Sequence, residues 1–178
     1  ALAGWLVSGR AVLGAQGGPA AAAIPAVRVQ GNVWMLVTPD GNLALQVGPE
    51  GALLVDTGRS GTSDAVLAAI RQITPLPIRY IINTSAGPNA VGNNAVMGAL
   101  RGGATDRRGS GPTPAIIGHE NVLARLGTAA APGGQPLPAV AWPSDSYLAG
   151  KRSIRYNGEA IDIIHQPTAL IAPCPTST

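Results

Sequence analysis

The sequence has no phenylalanine, a single cysteine and only two histidines among its 178 residues. One cysteine, Cys174, excludes an internal disulfide framework and any multi-cysteine zinc knuckle. Charge is scarce as well: Asp, Glu, Lys and Arg make up 12% of the chain and leave a net charge of +3. So small a surplus argues against nucleic-acid binding unless basic residues cluster among aromatics. Arg101, Arg107 and Arg108 instead lie in a Gly-rich stretch with no Tyr or Trp between them, so a solvated loop is expected there and no nucleic-acid partner. No uninterrupted apolar run approaches the roughly 18 to 20 residues that a membrane-crossing helix needs, so no membrane span is expected. What the chain does have is apolar: 46% of it is hydrophobic, carried by Ala, Val, Leu and Ile, which points to a globular core rather than disorder.

The chain divides by composition. Residues 1–15 are small and apolar around Arg10 and end in Leu13-Gly14-Ala15, like the apolar core and cleavage region of a secretory signal, although the basic flank and initiator Met are missing. Export, as to a periplasm, is the expectation from this segment; a buried or frayed N-terminal stretch in a cytoplasmic protein is the alternative. Residues 16–23 read as a Gly/Ala/Pro linker, residues 24–169 as the folded domain and residues 170–178 as an unstructured tail.

Within the domain, Ala26 to Gln30, Val33 to Thr38 and Leu43 to Val47 are separated by turn signals and predict a β-meander. A continuous apolar strand, Ala52 to Val55, ends at Asp56-Thr57-Gly58, a polar turn at the kind of strand edge where open sheets place chemistry. Val66, Leu67, Ile70 and Ile73 recur at helical spacing, with Thr62 or Ser63 as the cap and Pro75 as the stop. Ile78 to Ile82 predicts a buried strand, followed by a loop and a helix reaching about Leu100. Ala115 to Gly118 predicts a strand, His119 to Leu126 a helix, and Ser153 to Tyr156 and Ala160 to Ile164 two more strands after a long Pro/Gly/Ala connection.

The order of these elements, with Leu53-Leu-Val-Asp-Thr-Gly58, Ile78-Arg-Tyr-Ile-Ile-Asn-Thr84 and Asn157-Gly-Glu-Ala-Ile161 followed by His165-Gln-Pro167, resembles the metallo-β-lactamase superfamily, especially its exported bacterial hydrolase-like members. The resemblance runs from about Val27 to Ala169. It implies an α/β (α+β) fold, an αββα sandwich, of which this chain would hold the N-terminal half to two-thirds as a truncated or frame-shifted product. It also implies a pattern His-x-His-x-Asp-His directly after the Asn-Thr strand end, supplying zinc ligands and a general base. Here Ser85 and Gly87 stand at the first two ligand positions, Asn89 replaces the Asp and Ala90 the last His. The further His expected five residues after His165 is Leu170.

Zinc takes about four N, O or S ligands, and the side chains at these positions offer neither imidazole nor carboxylate. The expectation is therefore a non-catalytic remnant or pseudoenzyme of the superfamily, with no catalytic residue and no metal or cofactor; the alternative is a zinc hydrolase whose site is completed by other residues. His119, His165 and Cys174 match no zinc spacing. His119-Glu120 reads as a helix start and His165 as packing or capping at a strand end. Ser85 and Ser60 lie in no Gly-x-Ser-x-Gly elbow, and the Gly102-Gly103 and Gly109-Ser110-Gly111 segments lack the Lys of a phosphate cradle. Asp56 alone keeps the family's residue at the cleft edge; a turn-forming role accepting backbone hydrogen bonds accounts for it equally well.

Overall fold

The computed structural model describes residues 23–100, 113–128 and 137–167. The expected leader, nearly all of the linker, the arginine-rich loop, Leu170, Cys174 and the tail lie outside the described residues. Four strands open the fold as an antiparallel meander: β1 (Ala26–Gln30), β2 (Val33–Leu36), β3 (Leu43–Gly48) and β4 (Gly51–Val55). The chain then crosses through helix α1 (Ser63–Ile73) to β5 (Ile78–Asn83), which lies parallel to β4. Strands β6 (Ala115–His119) and β7 (Asp145–Tyr147) continue the parallel part, completing a seven-stranded sheet in sequence order. A hairpin of β8 (Lys151–Tyr156) and β9 (Glu159–Ile164) forms a separate two-stranded sheet. The architecture is mixed α+β.

Alternation along the strands builds a layer on each face of the large sheet. Leu36, Leu45, Leu54, Ile81 and Ile116 face one way and bury Val66, Leu67 and Ile70 of α1, the apolar stripe that the helical spacing predicts. Leu53, Ile82 and Ile117, their neighbours in sequence, face the other way and pack against Tyr156, Ile154, Ile161 and Ile163 of the hairpin. Each such side chain taken fully out of water stabilises the fold by roughly 1.5 to 3 kcal/mol before the entropy of ordering it is counted. Sheet faces hairpin, with α1 on the far side.

Four expectations need correction. Thr62 does precede α1, but its hydroxyl donates to Arg59 O at 2.7 Å and accepts from Asn93 Nδ2 at 2.9 Å, so it makes no cap bond to the helix. The helix expected to reach Leu100 is broken into α2 (Pro88–Val91) and α3 (Asn94–Met97), because Asn93 leaves helical geometry to turn its side chain inward onto Thr57 O. The connection before β8 holds a 3-10 turn (Ala139–Ala141) and strand β7, each of only three residues and too short to show a period. His119, expected to start a helix, closes β6, and α4 (Glu120–Thr128) starts one residue later with Glu120 in its first turn, where a carboxylate suits the helix dipole.

Candidate functional site

The parallel strands β4, β5 and β6 all end on the same side of the sheet, and the loops that leave them meet there. Asp56 follows β4 directly and takes φ 60, a left-handed conformation that non-glycine residues adopt seldom and at some cost. The turn is stabilised by what the carboxylate does: Oδ1 accepts from Thr84 N at 2.8 Å and Oδ2 from Thr84 Oγ1 at 2.6 Å. Burial pushes the Asp56 carboxyl above its ordinary range, opposed by the two Thr84 hydrogen bonds. Asp56 therefore ties the end of β4 to the start of the loop after β5.

Beneath the loop lies a closed set of buried polar groups. Asn83 and Asn94 exchange amide hydrogen bonds, Nδ2 of Asn94 to Oδ1 of Asn83 at 2.8 Å and Nδ2 of Asn83 to Oδ1 of Asn94 at 3.2 Å. The second amide proton of Asn94 goes to Ala141 O at 2.9 Å. Thr57 Oγ1 has both Asn94 Oδ1 at 3.0 Å and Ala90 O at 3.1 Å within reach of its single proton, and it accepts from Asn93 N at 3.2 Å. Every member is satisfied inside the fold, the condition under which a buried polar network rigidifies its surroundings instead of weakening them. The network pins α2 and α3 beneath the ends of β4 and β5.

On this platform sit the positions that the resemblance would give to zinc ligands. Ser85 Oγ accepts from Gly87 N at 3.1 Å, Asn89 Nδ2 reaches Asp40 O at 3.4 Å, Gly87 has no side chain, and Ala90 is only 2% exposed. These are contacts of neutral groups, the first closing the loop on itself and the second tying it to the turn between β2 and β3. The donor set does not fit zinc, which is held by imidazole, thiolate or carboxylate. Among the described residues, no group of three or more His, Cys, Asp or Glu side chains is placed to hold a metal.

The two histidines, unrelated in sequence, are brought together. His119 and His165 stack with centroids 3.7 Å apart and planes 7° apart, and Tyr147 meets His119 edge-on at 5.1 Å. Asn121 holds both rings. Its backbone N–H donates to His119 Nδ1 at 3.2 Å, so the His119 proton sits on Nε2, which faces Leu148 O at 3.3 Å. The Asn121 side-chain amide donates to His165 Nε2 at 3.4 Å. With these nitrogens engaged, neither ring is set as a base for Ser85. Ser60, the other serine considered from sequence, is exposed on the loop after β4.

The stack forms one wall of a cleft of about 500 Å3. Thr84, Ser85 and Ala86 form a second wall, Asn121 and Arg125 of α4 a third, and Ile82, Val122 and Ile163 contribute apolar surface. Asn121 and Arg125 share a face of α4 at a four-residue stride, but nothing in the sequence marks that face as lining a cleft.

No family model matches the chain, and a search of curated proteins returns no match. Solved structures do match. A beta-lactamase from Chitinophaga pinensis aligns at 21% identity and a TM-score of 0.61, over 82% of this chain and 54% of its own. FEZ-1 metallo-beta-lactamase from Legionella gormanii aligns at 12% identity and 0.58, over 80% and 53%, and MIM-1 from Novosphingobium pentaromativorans at 18% and 0.58, over 78% and 49%. This chain thus spans about half the length of the structures it matches, and at such identities the likeness speaks for architecture alone. In that architecture, the described residues carry the metallo-β-lactamase fold.

Proposed function

We propose that this chain is a non-catalytic form of the metallo-β-lactamase fold, one that keeps the cleft and its supporting network but binds no zinc at the loop following β5. One observation carries the reading: Ser85, Gly87, Asn89 and Ala90 stand at the ligand positions of the resemblance, and the two that have polar side chains are engaged elsewhere, Ser85 with Gly87 N and Asn89 with Asp40 O. Removing first-sphere ligands degrades affinity steeply, and here the whole assignable set is replaced.

The test is metal content by mass spectrometry on protein purified from zinc-supplemented medium, with a chelator-treated control. Zinc well below one ion per chain, with the same thermal unfolding in both samples, is the expected result. An ion per chain that is lost on His119→Ala or His165→Ala would overturn the reading and favour a hydrolase whose site is completed differently.

A further inference from the structure

The cleft is offset from the positions that the resemblance gives to metal. Ser85 lies on its lining, but Gly87, Asn89 and Ala90 do not. The remainder is built by the ends of β5, β6 and β9, the helix α4, strand β7 and the segment after β9, so its chemistry has to be read from those elements. Arg125 brings a guanidinium, which has an interaction of its own as well. His165, Asn121, Thr84 and Ser85 bring neutral hydrogen-bonding groups, and no carboxylate lines the cleft among the described residues. Ile82, Val122, Tyr147 and Ile163 supply apolar area beneath them. Pockets of a few hundred Å3, with an apolar lining and a few convergent polar groups, are where small molecules bind.

We propose that this cleft is a metal-independent binding site for a small organic anion, a carboxylate on a compact apolar body. The guanidinium, with five donors in a fixed fork, engages the carboxylate while keeping its existing interaction. The apolar body lies against Val122, Tyr147 and Ile163, and Thr84 and Ser85 form the opposite rim, of which Ser85 is the hydroxyl able to donate, since Thr84 Oγ1 gives its proton to Asp56. The His119–His165 stack is held on both rings by Asn121, so that wall is preformed and need not be ordered on binding. The assignment goes beyond the zinc-free reading of the loop and is tested separately from it.

Benzoate is the probe, and its neutral isostere benzamide the control, titrated into the isotope-labelled chain with and without chelator and followed by amide chemical shifts. Saturable benzoate shifts at Thr84, Ser85, Asn121 and His165, unchanged by chelator, are expected. Benzamide should bind about tenfold more weakly, and so should benzoate to Arg125→Gln, since each lacks the charge-assisted contact. Ala86→Trp, which narrows the cleft without removing a hydrogen bond, should abolish the shifts and serves as the second variant if Arg125→Gln unfolds. Equal binding of benzoate and benzamide, shifts scattered over the surface, or no saturable shift would overturn the proposal. Binding that appears only with added zinc would overturn both this assignment and the zinc-free reading. Zinc retained at the loop, with benzoate binding unaffected by its removal, would overturn the zinc-free reading alone.

Discussion

Asn157 and Glu50 exchange hydrogen bonds across the two sheets: Glu50 N donates to Asn157 Oδ1 at 3.0 Å, and Asn157 N donates to Glu50 Oε1 at 2.8 Å. The Asn157 amide also donates to Gly51 O at 3.1 Å. The tip of the β8–β9 hairpin is thereby fastened to the β3–β4 turn, and Asn157 takes φ 53, which asparagine tolerates better than most residues. At its other end the hairpin is tied by Arg152, which pairs with Asp145 of β7 at 2.6 Å in a half-exposed bridge worth at most about 1 kcal/mol.

Replacing Asn157 therefore loosens the hairpin before it loosens the sheet. Asn157→Ala should cost about 1 to 3 kcal/mol in chemical denaturation, while Asn157→Gly keeps the positive φ and should cost less. Hydrogen exchange should speed up in β8 and β9 and stay slow in β4 and β5. Uniform acceleration across both sheets would show that the fastening is not local.

Gly51 has almost no room for a side chain. It lies at φ 127, and a Cβ there would sit 2.7 Å from Pro77 O and 2.8 Å from the Tyr156 hydroxyl. Gly51→Ala should lose roughly 2 to 5 kcal/mol, from backbone strain and overpacking combined. An unchanged melting temperature would contradict that crowding.

The Tyr156 hydroxyl is buried with no hydrogen-bond partner among the described residues, and burial pushes its pKa up to about 12. Tyr156→Phe removes a group whose desolvation is uncompensated, so stability at neutral pH should be unchanged or should rise by about 1 kcal/mol. Because the folded value lies above the unfolded one, wild type should also lose stability as pH rises from about 10 toward 12, and Tyr156→Phe should lose less there. A clear destabilisation of the variant at pH 7 would reveal a partner for the hydroxyl.

Asp56 gives a linked effect at the acid end. Its folded value is raised, so its favourable contribution is complete at low pH, below the ordinary carboxylate range, and is lost as pH climbs through the raised value. Relative to Asp56→Asn, wild type should be most stable in acid and should lose that advantage toward neutrality. Asp56→Ala, which strips Thr84 N and Oγ1 of their acceptors, should cost about 1 to 3 kcal/mol at every pH. The comparison is a pair of denaturation series across pH; a parallel pH course for wild type and Asp56→Asn would count against the burial argument.

Much of the sheet was legible because its strands obey simple alternation. Ala52 to Val55 and Ile78 to Ile82 are short apolar runs between turn signals, and both form strands within a residue of where the sequence puts them. Strand β7 was not legible, since Asp145-Ser146-Tyr147 is polar and owes its place to pairing with β6. The split between α2 and α3 was hidden for a related reason: Asn93 breaks the helix to reach Thr57, a partner 36 residues away. The meeting of His119 with His165, 46 positions apart in the chain, depends on how the β8–β9 hairpin packs on the large sheet, which no local pattern encodes. Asp56 could be singled out because its strand-end turn is a local feature.

The exchange between Asn83 and Asn94 has a consequence for redesign. In small zinc domains the ion is the keystone, and the chain collapses when it is withdrawn. On the zinc-free reading proposed above, amides and a hydroxyl hold the arch, so installing a metal becomes a question of accommodating side chains, separable from folding. Gly87 is the easy place: a Cβ there would meet only Asn89 Oδ1 at 3.0 Å and Ser85 Oγ at 3.2 Å, both ends of side chains that can swing aside. Ala90 is the hard one, sunk into the platform at 2% exposure, where an imidazole must displace the packing that keeps the arch standing.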